Sequence, residues 1–418
     1  MADSPDSMTR LERRASIALS AVFGLRMLGL FMLLPVFAVE ARRMPGGDDP
    51  MLVGIALGAY GLVQALLQLP LGMASDRLGR KPVIVAGLLV FAAGSVVAAM
   101  ADGVVGVIVG RALQGAGAVS AAVTALVADS TRDSQRTKAM AFIGVSVALS
   151  FALTLVAAPW LVALAGLRGL FELTAGLALA AAAVTVWVVP PAPRRDAPAR
   201  VTPLSRLLGT PDLLRLNVGV FALHAVQIAF FMIVPAWLVE RAGVPLREHA
   251  TLYLVAVVGS LLLMIAPLGW GERRGRMRPV FAGAIVVLLA VLLALMTEPS
   301  GLVLLVGLMT LYLSAFNVLE ASLPSLVSRM APADARGAAL GVYNTVQSIG
   351  MFVGGAAGGW LLARHGPASV LAAGALLVVV WLAAALGQKR WPSRGGAMAS
   401  GPGEATQGAP LPGAQERG

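Results

Sequence analysis

The sequence predicts an all-α membrane protein with twelve transmembrane helices in two pseudosymmetric six-helix bundles. Three observations predict it. The chain is 58% hydrophobic and only 13% charged, whereas soluble domains carry about a quarter charged residues. Its uncharged runs reach the roughly 20 residues that cross a bilayer at about 1.5 Å rise each. Charge then returns in corresponding loops of two halves: PLGMASDRLGRKPV at 70–83 aligns without a gap on PLGWGERRGRMRPV at 267–280.

In chain order, a cytoplasmic N-terminus (1–14) precedes the first bundle, 15–189. Span one, 15–39, is uncharged except for Arg26 and too long for the apolar core of a secretory signal, so it is expected to stay in the mature protein. Spans two (51–75) and three (82–101) carry no charge and flank the loop 76–81. Span four, 103–128, holds one ionised residue, Arg111, and span five is 139–167. Span six, 169–193, holds Glu172, four residues after Arg168 and therefore read as an interfacial ion pair. Residues 190–212 form a Pro- and Arg-rich cytoplasmic linker with one short amphipathic turn.

The second bundle, 213–388, repeats the pattern with uncharged runs at 216–239, 249–271, 279–297, 337–363 and 366–388. Its fourth span, 299–328, holds Glu320. Arg136 and Arg336 stand 200 residues apart, as do Pro35 and Pro235, an internal symmetry of the kind transporter folds carry. The tail, 389–418, is rich in Gly, Pro and Ala and is expected to be disordered.

The net charge of +11 raises nucleic acid as a partner, but its placement argues against it. With both termini inside, 24 Lys and Arg fall on the inner side and 6 on the outer, leaving Arg26 and Arg111 within spans. That is the positive-inside bias of a membrane protein, and Trp160, Trp187, Trp237, Trp270 and Trp360 fall near run ends as interface anchors. The outer loops are too short for an extracellular domain. Without cysteine, disulfides and thiol chemistry are excluded. No catalytic motif, ATP-binding loop or metal set is present in the sequence, so neither an enzyme nor a cofactor is expected.

Gly72, Asp76, Arg77, Gly79, Arg80 and Lys81, between spans two and three, resemble the signature of the major facilitator superfamily. RALQGAG at 111–117 resembles the span-four motif of proton-coupled drug antiporters. With RTKAMAFIGVS, FMLLPVF and FNVLEASLPSL, the chain is most similar to the YajR-type subgroup, over roughly residues 15–390. It departs from that pattern in two places. The span-five glycine motif is reduced to AAPW, and a tail stands where the subgroup can carry a small globular domain.

The resemblance implies that Asp76 faces the start of span eleven. It also implies that Arg80 pairs with an acid at the foot of span four, for which Asp129 is the match. Such pairs would lock the two halves together on the cytoplasmic side in the outward-open state. The residue types make sense of this loop. Asp76 can cap a helix start and pair with arginine, Gly72 permits close helix contact, and Gly79 permits the turn. In the copy at 267–280, Glu272 is one position off register and Arg276 stands opposite Gly79, so that loop reads as mainly topogenic.

In this fold spans one, four, seven and ten line the central cavity, and all four carry polar groups. They are Arg26; Arg111 with Gln114; His224 with Gln227; and Asn317 with Glu320. Ionisable residues in a membrane cost about 2.5–3.5 kcal/mol on insertion scales and mark pathways. Arg111 is near enough to the outer face to snorkel, but Gln114, Gly115 and Gly117 after it on a close-packing helix favour a functional role; Arg26 reads equally as a structural counter-charge, and His224 equally as a helix–helix hydrogen bond. Glu320 is the one carboxylate far from both faces, one turn before Pro324, and is expected to change protonation as the cavity opens and closes. Tyr60, Gln64 and Gln68 on span two, and Asn344 with Gln347 on span eleven, either line the cavity or serve as interhelical hydrogen-bond glue.

The expected function is secondary active transport in a bacterial-type inner membrane by a monomer with both termini cytoplasmic. The expected reaction is proton-coupled efflux (antiport) of small amphiphilic compounds, with substrate, protons and lipid as partners. A proton-coupled importer or facilitator of a small solute is the first alternative. A non-transporting membrane sensor or scaffold is the second.

Overall fold

The computed structural model describes residues 7–117, 119–191, 209–332, 335–388 and 391; most of the linker and nearly all of the tail lie outside them. The first half comprises α1 (Arg10–Phe31), α2 (Pro50–Leu78), α3 (Arg80–Ala99), α4 (Val104–Ala116), α5 (Ser120–Asp129) and α6 (Asp133–Trp187). The second comprises α7 (Pro211–Glu240), α8 (His249–Arg274), α9 (Met277–Leu295), α10 (Leu302–Met330) and α11 (Arg336–Leu386).

Among the described residues ten stretches are long and apolar enough to cross a membrane, α4 and α5 together making one of them. Two of the ten, on α6 and α11, have about twice the needed length, and each turns at a glycine of positive φ, Gly166 at 65° and Gly366 at 76°. Counting each as two crossings gives the twelve spans expected. A side chain at either position would be strained, and these two glycines are equivalent points of the two halves.

Local chemistry sets the helix ends. Thr9 and Glu12 form a reciprocal capping box at the start of α1, and the Asp49 side chain accepts from Met51 N–H with Pro50 at the first helical position of α2. Gly79, at φ 95°, separates α2 from α3, as its place in the loop predicted. Asp76 does not cap a helix: it lies in the last turn of α2, and α3 starts at Gly79 with no side-chain cap. Arginine stacks over tryptophan one turn before it near helix ends, at Trp237–Arg241, Trp270–Arg274 and Trp360–Arg364.

Within the first half α1 packs on α6 and α3 on α4 and α6; within the second, α7 packs on α11 and α10 on α8 and α9. The halves meet along α2 with α11 and α6 with α8. Inner denotes the side that carries the termini and basic loops. The close glycine approaches between α2 and α11 run from the outer ends of both helices to mid-depth, where a Cβ on Gly61 would overlap the Ser348 carbonyl. A Cβ on Gly54 would overlap the Gly355 carbonyl, one on Gly58 would stand 2.8 Å from Phe352 Cα, and one on Gly359 would overlap Pro50 O. At the inner end Gly337 and Gly341 of α11 have open space beside them.

Other outer contacts agree. Arg42 pairs with Glu240 across the halves, and Tyr253 of α8 donates to the Pro35 carbonyl at 3.3 Å. The structure is closed on the outer side, where these contacts join the halves.

Candidate transport site

His224 on α7, Glu320 on α10 and Gln347 on α11 meet at mid-depth. They lie 13, 10 and 11 residues from the inner ends of their helices, roughly 15–20 Å at helical rise. His224 Nδ1 is 3.0 Å from the Val220 carbonyl, which accepts only, so Nδ1 carries a proton. The other ring nitrogen, Nε2, then faces the Gln347 amide at 2.6 Å and Glu320 Oε2 at 3.5 Å. The His224 side chain is 4% exposed and that of Glu320 30%, so the acid reaches solvent-accessible space while the imidazole sits behind it.

Proton chemistry follows from this arrangement. Glu320 Oε2 is buried with no hydrogen-bond donor among the described residues, and a carboxylate oxygen in that position is costly. One proton shared between Nε2 and the carboxyl satisfies both groups. With Nδ1 protonated, Nε2 accepts from the Gln347 NH2, which ties α11 to the cluster. Pro324 adds to the polarity because it has no N–H to give the Glu320 carbonyl one turn earlier in α10.

Above this cluster lies an aromatic roof drawn from both halves. Phe316 is edge-on to His224 at 6.0 Å and lies 5.5 Å from Phe151 of α6, which in turn contacts Phe31 at 5.3 Å and Phe231 at 6.3 Å. Tyr312 stacks on Phe230 at 3.7 Å. Sequence reasoning missed the roof, because isolated phenylalanines in apolar spans look like any other core residue.

The other polar residues of the lining helices do not join this cluster. Asn317 donates to Ser260 Oγ at 3.3 Å, tying α10 to α8. Gln227 is buried, its Oε1 without a hydrogen-bond partner among the described residues. Arg26 and Arg111, each 1% exposed, flank Tyr60 inside the first bundle, their guanidinium carbons 5.7 and 5.2 Å from its ring centre. Arg26 donates to Tyr60 Oη, to Ser120 Oγ at 2.8 Å and to Gln64 Oε1 at 3.3 Å. Arg111 donates to the carbonyls of Ala56 and Leu57, both at 3.3 Å, and to Gln114 Oε1 at 2.9 Å. Gln114 continues to Ser95 at 2.8 Å, and Gln64 to Gln68 at 3.3 Å. Both arginines thus hold their own bundle together and present almost no charge to the cavity.

At the inner loop Arg80 bonds Asp129 at 3.1 Å, Asp76 at 2.5 Å and Ser75 at 2.6 Å, all within the first half. Lys81 donates to the Val189 carbonyl near the end of α6, a Cβ on Gly72 would make only an ordinary contact with Ala121 at 3.5 Å, so packing there does not require glycine, and Arg77 is exposed. Asp76, with its side chain 55% exposed, points to solvent rather than to α11. In the outward-open state this loop is expected to engage α11. Asp76→Asn and Arg80→Ala should then leave folded proteins whose inner side is open more often. Exposed pairs worth about 0–1 kcal/mol give a shift of up to about fivefold, with reduced transport. Electron–electron distances between the inner ends of the halves measure it; unchanged distances with full activity would leave the loop topogenic only.

Residues 16–355 match the profile of the Major Facilitator Superfamily. The chain belongs to that superfamily. It is a multi-pass membrane transporter and not an enzyme. The inner membrane transport protein YajR of Escherichia coli (strain K12) is 44% identical over 392 residues, 92% of this chain and 85% of YajR. Multidrug resistance protein MdtH of Klebsiella pneumoniae (strain 342) is 27% identical over 338 residues, 80% of this chain and 83% of MdtH. The crystal structure of a bacterial homolog of the human lysosomal transporter Spinster, in an inward-facing and occupied conformation, has a TM-score of 0.70. At 14% identity it covers 91% of this chain and 97% of that one, and shows the fold alone. The all-α fold and the resemblance to YajR, both read from the sequence, are borne out.

Proposed function

We propose that this superfamily member is a proton-coupled antiporter that exports small amphiphilic compounds, cations in preference to anions, across a bacterial inner membrane. The observation that carries the reading is the Glu320–His224–Gln347 cluster. Among the described residues Glu320 is the only carboxylate far from both faces; its side chain is 30% exposed, and it lacks a donor that one proton would supply. A cationic head group can replace that proton beside the carboxylate, while the aromatic roof receives an apolar body and favours a cation over its ring faces. The two deep arginines, buried against Tyr60, do not offset this preference. The names of YajR and MdtH support the membrane and the drug-like substrate class. The reduced span-five motif favours the importer reading, which transport direction decides.

Inverted membrane vesicles equilibrated with a panel of cationic, neutral and anionic amphiphiles and then energised test the reading. Proton-driven uptake of cations into inverted vesicles is expected; driven movement out of them would make the protein an importer. Orientation is tested by single thiols in the cysteine-free chain. Sites within 77–81, 194–200 and 273–278 are expected to react only from the cytoplasm, and one at Gly103 only from outside. The opposite pattern would overturn the orientation argued from charge.

A further inference from the structure

His249 opens α8 on the outer side, where the halves meet. The short helical turn before it, Leu246–Glu248, packs on α6 of the first half, and Tyr253 one turn later donates across to Pro35. The imidazole is wholly buried in this closed face. Its Nε2 lies 3.1 Å from the Val244 carbonyl, which can only accept, so Nε2 carries the proton. Nδ1 is buried with no partner among the described residues. Glu248, the preceding residue, draws a positive charge on the ring but does not contact it, and the charged groups of the outer face pair with one another. Glu248 pairs with Arg247, Arg168 with Glu172, Glu40 with Arg43, Arg42 with Glu240, and Arg241 with Glu298.

A second proton on this ring would place an N–H with no acceptor, and a charge with no counter-ion in contact, in a sealed interface. Once the mouth opens, water solvates the ring and the penalty vanishes. We propose that His249 is a second proton-binding residue of the transport cycle, admitted to the outward-closed state only as neutral imidazole. Protonation from outside therefore holds the outer mouth open. The proton comes from external water, adds to the Nδ1 lone pair, and returns to water before the mouth closes. The inference rests on the alternating-access reading but uses no property of Glu320.

The sign follows from linkage. Acid favours the state that binds the extra proton, so closure is complete at neutral pH and is lost as pH falls. A ring with its usual value of about 6.5 when hydrated, and a closed state that excludes the second proton as proposed, give an open-to-closed ratio about tenfold higher at pH 5.5 than at 7.5.

The test uses spin labels on Asp102→Cys and Ser300→Cys, in exposed outer loops of the two halves, in the Glu320→Gln protein so that the inner proton site is silent. The tenfold rise is expected there. His249→Asn and His249→Gln keep an N–H for Val244 but bind no proton, and should reduce the rise to less than about twofold. No rise in the parent, or a full rise in either folded variant, would overturn the inference. Should neither variant fold, nitrogen chemical shifts of the His249 ring decide it: the ring must gain its proton in step with the distance change, and titration without opening contradicts the inference. Loss of proton-driven export in otherwise wild-type protein, with this response intact, would count against the proposed function alone.

Discussion

In proteoliposomes, Glu320→Gln protein is expected to exchange a labelled amphiphilic cation across the membrane but to stop concentrating it when a pH gradient is imposed. The substitution keeps the shape of the side chain and removes the only carboxyl that His224 Nε2 approaches, at 3.5 Å. Substrate can still enter beneath the aromatic roof, so exchange survives. What disappears is competition between proton and cation for one site, through which a proton gradient performs work. For one-for-one exchange, each pH unit supports about tenfold accumulation of a monovalent cation, equivalent to about 1.4 kcal/mol. The wild type should approach that ratio and the mutant should remain near unity. A mutant that still concentrates substrate against its gradient would remove Glu320 from the mechanism.

The second large effect belongs to the outer seam. Gly355→Leu is expected to prevent the outer side from closing, holding the protein outward-open and lowering transport by one to two orders of magnitude. A Cβ at Gly355 already overlaps the Gly54 carbonyl, and backbone cannot retreat as a flexible side chain would. Overpacking costs of about 1–3 kcal/mol in soluble cores correspond to population shifts of about 5- to 150-fold. The clash exists only in the closed seam, so folding of each half should be spared. Distances between spin labels across the outer mouth would lengthen in the mutant. Normal outer closure would mean that the seam is not the contact on which alternating access turns.

Much of this architecture was legible in the sequence, because a membrane leaves a chain few choices. Long uncharged runs, basic residues concentrated on one side and a repeated loop specify twelve crossings and two halves. Gly79 and Arg80 were legible because a turn of positive φ and a charged loop leave clear residue types. The sites where helices from distant parts of the chain converge were less legible. Nothing local distinguishes Gln347, which meets His224, from Asn344, three residues earlier on the same helix. Arg26 and Arg111 stand on the helices predicted to line the cavity, yet both turn inward to Tyr60. A helix's place in the bundle does not fix which face of it meets solvent. The glycine seam did leave a trace, in Gly54, Gly58 and Gly61 and in the run GGAAGG at 354–359. Spacing of small residues marks close packing without naming the partner helix.

The central claim is that proton and substrate compete at Glu320. The most direct measurement is a pH-indicator titration of purified protein in weakly buffered detergent with tetraphenylphosphonium, a lipophilic cation. Linkage predicts release of about one proton per cation bound by the wild type, and none from Glu320→Gln although the cation still binds. Equal release from both proteins, or binding to the wild type with no release at all, would contradict the claim.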